Sequence, residues 1–125
     1  MKYETCAANV INELSALCRE QNDKWWHDPL TGEPLVSRNR GELMMLMVSE
    51  IAEAMEGYRK NLPDEKLSHR SAECVELVDL LIRVFDYAGE YLPDLGEAFV
   101  EKLKYNETRK DHSHAARLAP GGKKF

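Results

Sequence analysis

A chain of 125 residues and 14.3 kDa has room for one hydrophobic core without disulfide or metal staples. Hydrophobic residues make up 43% and charged residues 31%, mean hydropathy is −0.53, and no apolar run nears the roughly 20 residues that cross a bilayer, so disordered, membrane-spanning and collagen-like classes are set aside. A net charge of −5 argues against a nucleic-acid partner and leaves small anionic substrates open, provided a cation screens them.

One domain over residues 1–118 with a flexible tail over 119–125 is expected, without internal repeat or linker. Cys6, Cys18 and Cys74 are odd in number and widely spaced, no Cys-x-x-Cys occurs, and MKYETCAANV lacks the apolar stretch of a signal peptide. A reduced, cytoplasmic protein with buried thiols is expected.

Ala7, Val10, Ile11, Leu14, Leu17 and Cys18 recur at spacings of three and four, which predicts an amphipathic helix over about 4–22. Asn22 to Ser37 is rich in turn signals (Asp28-Pro29, Thr31-Gly32, Glu33-Pro34), with at most a short hairpin. A second helix starts near Asn39, with Glu42 three residues on in capping-box spacing, and runs to about Lys60 before Pro63. A third spans about Ser71 to Gly89, capped by Ser68 or Ser71. A fourth opens at Pro93-Asp94, with Glu97 as the reciprocal partner of Asp94, and runs to about Lys110. Strand signals are nearly absent. The fold class is therefore all-α, most simply an antiparallel helical bundle of about four main helices.

The second helix contains Glu50-Ile51-Ala52-Glu53, whose two acids project from one face. On a wheel of about 100° per residue, Leu43, Leu46, Met47 and Ala54 flank Glu50, and Glu53 sits at their border. A purely solvated face would collect its acids opposite the leucines. The third helix repeats the spacing in Glu76-Leu77-Val78-Asp79, on a narrow polar stripe of Glu73, Glu76, Asp79, Arg83 and Asp86. Taken alone, that stripe is as well explained by solubility. If the two helices form a hairpin, both acidic pairs stand at similar distances from the loop and can face each other. Two such charges about 4 Å apart cost about 4 kcal/mol at an effective dielectric near 20. Convergence then requires protonation or a divalent cation. Oxygen ligands without His or Cys point to Mg²⁺, or Mn²⁺.

Glu50-x-x-Glu53, 22 further residues and Glu76-x-x-Asp79 resemble the signature of the all-α nucleoside triphosphate pyrophosphatases: MazG, its phage and bacterial MazG-like relatives, the dimeric dUTPases and dCTP pyrophosphatase. EKLKYNETRKDH and the closing GGKKF are similar to the Lys…Tyr-Asn…Arg segment of the MazG-like branch. The resemblance covers about residues 40–110. It implies that Glu50, Glu53, Glu76 and Asp79 hold Mg²⁺ and serve catalysis. A nucleoside triphosphate would then be hydrolysed to monophosphate and pyrophosphate, with Glu53 helping to take the proton. Lys102, Asn106 and Arg109, on one stripe of the fourth helix, would grip the substrate; the plainer alternative is a soluble outer face. Arg83 either reaches phosphate or pairs with a carboxylate. Glu56 and Glu73 are either supporting acids or plain surface acids. Phe99 and Leu103 are expected in the core.

Trp25 and Trp26, adjacent at a helix end, suit a base-stacking platform, or else anchor core or interface. Met44, Met45, Met47 and Met55 make the second helix apolar over too wide an arc for a monomer, and a homodimer or dimer of dimers is expected. The competing readings are a phosphoribosyl-ATP pyrophosphohydrolase-like enzyme, which the double Trp disfavours, and a non-catalytic helical interaction module.

Overall fold

The computed structural model describes residues 4–125, so the start of the expected 1–118 domain lies outside the described residues. Those residues form α1 (Glu4–Gln21), α2 (Arg40–Arg59), α3 (Ala72–Tyr91), α4 (Leu95–Thr108) and α5 (His114–Leu118). Short 3-10 turns occupy Asp23–Trp26 and Lys110–His112, and there is no strand among the described residues. No helix among them is long and apolar enough to cross a membrane. Two compact units are formed: Glu13–Pro93, and the residues up to Asn12 together with Asp94–Phe125, with the boundary inside α1.

In the Glu13–Pro93 unit, the Asn39 side chain accepts from the Glu42 amide at 3.1 Å and starts α2. Ser71, rather than Ser68, caps α3, its hydroxyl accepting from the Cys74 amide at 3.1 Å. Between them the Asp64 carboxylate accepts from the amides of Lys66 (3.0 Å) and Leu67 (2.7 Å), a side-chain turn that reverses the chain. The resulting α2–α3 hairpin is antiparallel. Gly57 meets Ala72 near the loop, Glu50 meets Arg83 midway, and Arg40 meets Tyr87 at the far end. A β-carbon at buried Gly57 would stand 2.8 Å from the Ala72 β-carbon, so only glycine permits this approach.

Of the short hairpin that the turn-rich segment left open, a single bridge is formed. His27 and Pro34 make an isolated antiparallel bridge, with Asp28 N donating to Glu33 O at 2.8 Å and Leu35 N to Trp26 O at 2.9 Å. Pro29 and Pro34 have no N–H to extend a ladder, which explains why no strand follows.

The buried set of this unit is small: Ser15, Trp26, Glu50, Ala54, Tyr87 and Ala88, with Gly57. The buried line of α1 runs through Ala8 and Ser15, whereas Val10, Leu14 and Leu17 of the expected stripe are 37–51% exposed. Small side chains win here because they let helix backbones come close. On α2, Met44, Val48, Ile51, Met55 and Tyr58 are all at least half exposed, at alternating spacings of four and three, the pattern of a helix-packing seam. Cys6 and Cys74 are exposed and Cys18 half-buried, which corrects the expectation of buried thiols; Cys74 shares the open apolar surface of α3 with Val78 and Leu81.

In the other unit, Asn12 takes over the start of α4. Its Oδ1 accepts from Gly96 N at 2.9 Å and its Nδ2 donates to both Glu97 carboxylate oxygens (3.1 and 3.0 Å). Asp94 therefore makes no side-chain cap bond, and the expected Asp94–Glu97 reciprocity is replaced. Asn12 also holds the Glu97 carboxyl below its ordinary range. Phe99 and Leu103 are 46% and 50% exposed, not core as expected. Arg117 donates to the carbonyls of Lys123 and Lys124, folding the last residues back onto α5.

Candidate active site

Antiparallel pairing of α2 and α3 sets Glu50, Glu76 and Asp79 together, with one carboxylate oxygen from each within 4.8 Å of the others. Three of the four expected acids thus form a single cluster. Glu53 is exposed at its edge, close enough to bond Glu76. Glu50 is buried, as its place among the apolar residues of α2 predicts. Arg83, one turn beyond Asp79, donates from Nε to Glu50 Oε1 at 2.8 Å. The cluster therefore carries its own counter-charge, from a residue that sequence alone left open between phosphate and carboxylate.

A second device limits the repulsion. Burial, then Glu50 and Glu53, push the Glu76 carboxyl up to about 7. Burial and the Glu50 charge raise Asp79 as well, against the pull of Arg83. For Glu76 the linkage has a definite sign. The folded protein binds this proton more tightly than the unfolded chain, so its contribution to stability is full below about pH 4.5 and lost as pH rises to about 7. With allowance for solvent screening, about 1–2 kcal/mol is at stake. Glu76→Gln, which copies the protonated form, is expected to raise the melting temperature of metal-free protein by about 3–8 °C at pH 8 and to change little at pH 4. Thermal scans of both proteins at the two pH values check this.

The cluster borders a cavity of about 450 Å³. Its polar lining comes from Asn22, Arg38, Glu50, Asp79, Arg83 and Asp86; Leu46, Met47 and Ile82 supply apolar wall. Trp25 also lines it and is 62% exposed, with Lys24 Nζ 5.2 Å from its ring centre. Trp26 is placed differently. It is 6% exposed, its Nε1 donates to Asp86 Oδ1 at 3.0 Å, and the Arg19 and Arg38 guanidinium groups lie 4.6 and 4.7 Å from its ring centre. It builds the wall by fixing Arg38 and Asp86. Arg19 ties this turn to α3 through Glu90 (2.7 Å) and also binds Asp23 (2.7 Å).

Sequence reasoning missed Asn22 and Arg38 as cavity residues, because both lie in a segment without periodicity. Asp86 had a visible signal, its place seven residues after Asp79 on the polar stripe of α3. Glu56 is paired with Lys60 (2.5 Å) and Glu73 is exposed; neither belongs to the three-acid cluster.

Lys102, Asn106 and Arg109 belong to the other unit. Lys102 Nζ lies 4.8 Å from the Tyr105 ring centre. Arg109 makes a two-pronged bond to Asp111 (3.0 and 2.5 Å), which holds the Asp111 carboxyl down at about 2. The Asn106 Oδ1 is buried and accepts no hydrogen bond.

Comparison with protein families, curated proteins and solved structures finds no match to this chain.

Proposed function

We propose that this protein is a divalent-cation-dependent pyrophosphohydrolase that converts nucleoside triphosphates, deoxynucleotides in particular, to monophosphate and pyrophosphate. The observation that carries the reading is the convergence of three carboxylates from two helices, two of which, Glu50 and Asp79, line a cavity that also presents two arginines and an exposed tryptophan. The donor set suits the ion. It consists of hard oxygen atoms only, and the raised Glu76 pKa marks three acids whose charge the single Arg83 does not balance. Glu50, Glu76 and Asp79 would hold Mg²⁺ or Mn²⁺. When bound, such an ion neutralises phosphate charge and makes a water molecule a better nucleophile.

The chain's own groups supply the rest. Arg83, released from Glu50, reaches a phosphate oxygen. Glu53, outside the three-acid cluster but beside Glu76, accepts the proton of the attacking water. Trp25 stacks on the base. The MazG-like resemblance implies phosphate and sugar contacts for Lys102, Asn106 and Arg109 as well, and none of the three lines this cavity. The reading carries with it a cytoplasmic setting and no nucleic-acid partner. Pyrophosphate release from a deoxynucleotide panel with Mg²⁺ tests it; a protein that releases none from any nucleotide is not this enzyme.

A homodimer or dimer of dimers belongs to the same proposal, supported by the exposed seam from Met44 to Tyr58 on α2. Burying a side chain such as Ile51 contributes about 1.5–3 kcal/mol, and a buried unpaired charge in its place costs more. Ile51→Glu is therefore expected to weaken self-association at least about tenfold, read by light scattering across a concentration series.

One observation favours a non-catalytic helical module instead: the buried Glu50 already has a structural partner in Arg83. If Glu50→Gln only lowers stability, and nucleotide turnover is absent from the parent protein, that reading replaces the first.

A further inference from the structure

The cavity has two chemically distinct ends, both carried by α3. Asp79 and the acidic cluster stand at one. Seven residues on, about 10 Å along the helix axis, Asp86 stands at the other. Asn22 and Trp25 line the cavity with it.

Asp86 is held in place from behind. Trp26 Nε1 donates to its Oδ1 at 3.0 Å, and the Asn22 side chain, on the same cavity wall, lies close enough to favour its charged form. A carboxylate accepts about four hydrogen bonds, so these two leave capacity for a ligand. The Asn22 amide has two N–H donors, one of which suffices for Asp86. The far end therefore offers an acceptor (Asp86) beside a donor (Asn22), in a cavity whose wall also includes the exposed Trp25. Burial raises the Asp86 pKa, while Trp26, Arg19, Asn22 and Arg38 each favour its charged form.

We infer that this end of the cavity reads a nucleobase edge, and that Asp86 with Asn22 selects a base carrying an exocyclic amino group beside a ring nitrogen acceptor (cytosine or adenine) over its oxo counterpart (uracil, thymine or hypoxanthine). The inference rests on the proposed function and sharpens its substrate class. The chemistry is a match of donors to acceptors. The amino group donates to the Asp86 carboxylate, and the adjacent ring nitrogen accepts from the Asn22 amide. An oxo base reverses both partners: its carbonyl oxygen meets a carboxylate, and its ring N–H meets an amide donor. Mispairing of this kind inside a cavity is penalised more heavily than a missing contact, because the buried polar groups lose water without gaining a partner. Trp25 stacks on either kind of base and supplies affinity without this discrimination.

The test uses the whole protein with Mg²⁺ and the non-hydrolysable α,β-imido analogues of dCTP and dUTP, with the dATP and dITP analogues as a second matched pair. Binding is followed by tryptophan fluorescence, for which exposed Trp25 is the reporter. The amino member of each pair is expected to bind at least about tenfold more tightly, the size of effect that one well-placed pair of base-edge hydrogen bonds gives. Asp86→Asn, which keeps an acceptor for Trp26, is expected to shrink that ratio to within about threefold. Asn22→Ala, which removes only the amide, is expected to reduce it while leaving the Trp26–Asp86 bond intact. Equal binding of amino and oxo analogues by the parent protein overturns the inference and leaves the hydrolase reading standing. An unchanged ratio in both folded variants also overturns it. If no analogue binds and no nucleotide is turned over, the proposed function itself fails and the base selection fails with it.

Discussion

Asp79→Asn is expected to reduce pyrophosphate release by about a thousandfold while leaving the helical fold intact. The scale is that of removing one group that stabilises developing charge, roughly 3–4 kcal/mol. Asp79 is a cleaner probe than Glu50. Glu50 is bonded directly by Arg83, so its removal disturbs a structural ion pair and the cluster together. Asp79 feels Arg83 only through its field, and its own pKa is raised by burial and by Glu50, so the uncharged amide relieves repulsion. The variant should therefore lose activity and Mn²⁺ affinity while matching or exceeding the parent in metal-free thermal stability. Titration calorimetry with Mn²⁺ and a thermal scan separate the two effects. A variant that keeps full turnover would remove Asp79 from the mechanism.

Gly89→Ala is expected to destabilise the protein by about 2 kcal/mol and to lower its melting temperature by about 6–10 °C. A β-carbon at this position would come 2.5 Å from the Ser15 carbonyl oxygen and 2.5 Å from the Arg19 β-carbon. Overpacking of that kind costs about 3 kcal/mol and outweighs the roughly 1 kcal/mol that alanine gains over glycine inside a helix. The damage does not stop at the contact. Arg19 holds Glu90, Asp23 and the Trp26 ring, so pushing it away loosens the turn that carries Trp25 and Arg38. Weaker nucleotide binding should accompany the lower melting temperature. Gly41→Ala is the control. Its β-carbon meets only the Asn39 Oδ1 that caps α2, at 3.3 Å, so a loss well below that of Gly89→Ala is expected. Circular dichroism melts of the three proteins decide the matter.

Where the fold was legible in the sequence, short-range chemistry decided it. Asn39 and Ser71 bond the third residue after them, and Pro63 bars helix continuation, so the ends of α2 and the start of α3 follow from neighbours in the chain. The pairing of Glu50 with Glu76 and Asp79 was legible for a similar reason, since a hairpin with a short loop leaves little choice of register. What failed depended on distant partners. The start of α4 is taken by Asn12, more than eighty residues away, and no local pattern announces that. The buried side of α1 follows Ala8 and Ser15 rather than the larger apolar residues, because close backbone approach matters more than side-chain volume there. At the candidate site, the acids could be found from spacing, but Arg38 and Asn22 could not. They sit in an irregular segment whose path is set by Asp28, Gly32 and the Trp26 ring.

Because one helix bears Asp79 on one turn and Asp86 two turns later, the proposed bond breaking and the proposed base selection would occupy separate addresses on the same scaffold. On that reading, mutational drift at the second address would retune what is admitted without endangering the first. The helix pitch keeps their spacing constant throughout, so one framework can serve a succession of preferences.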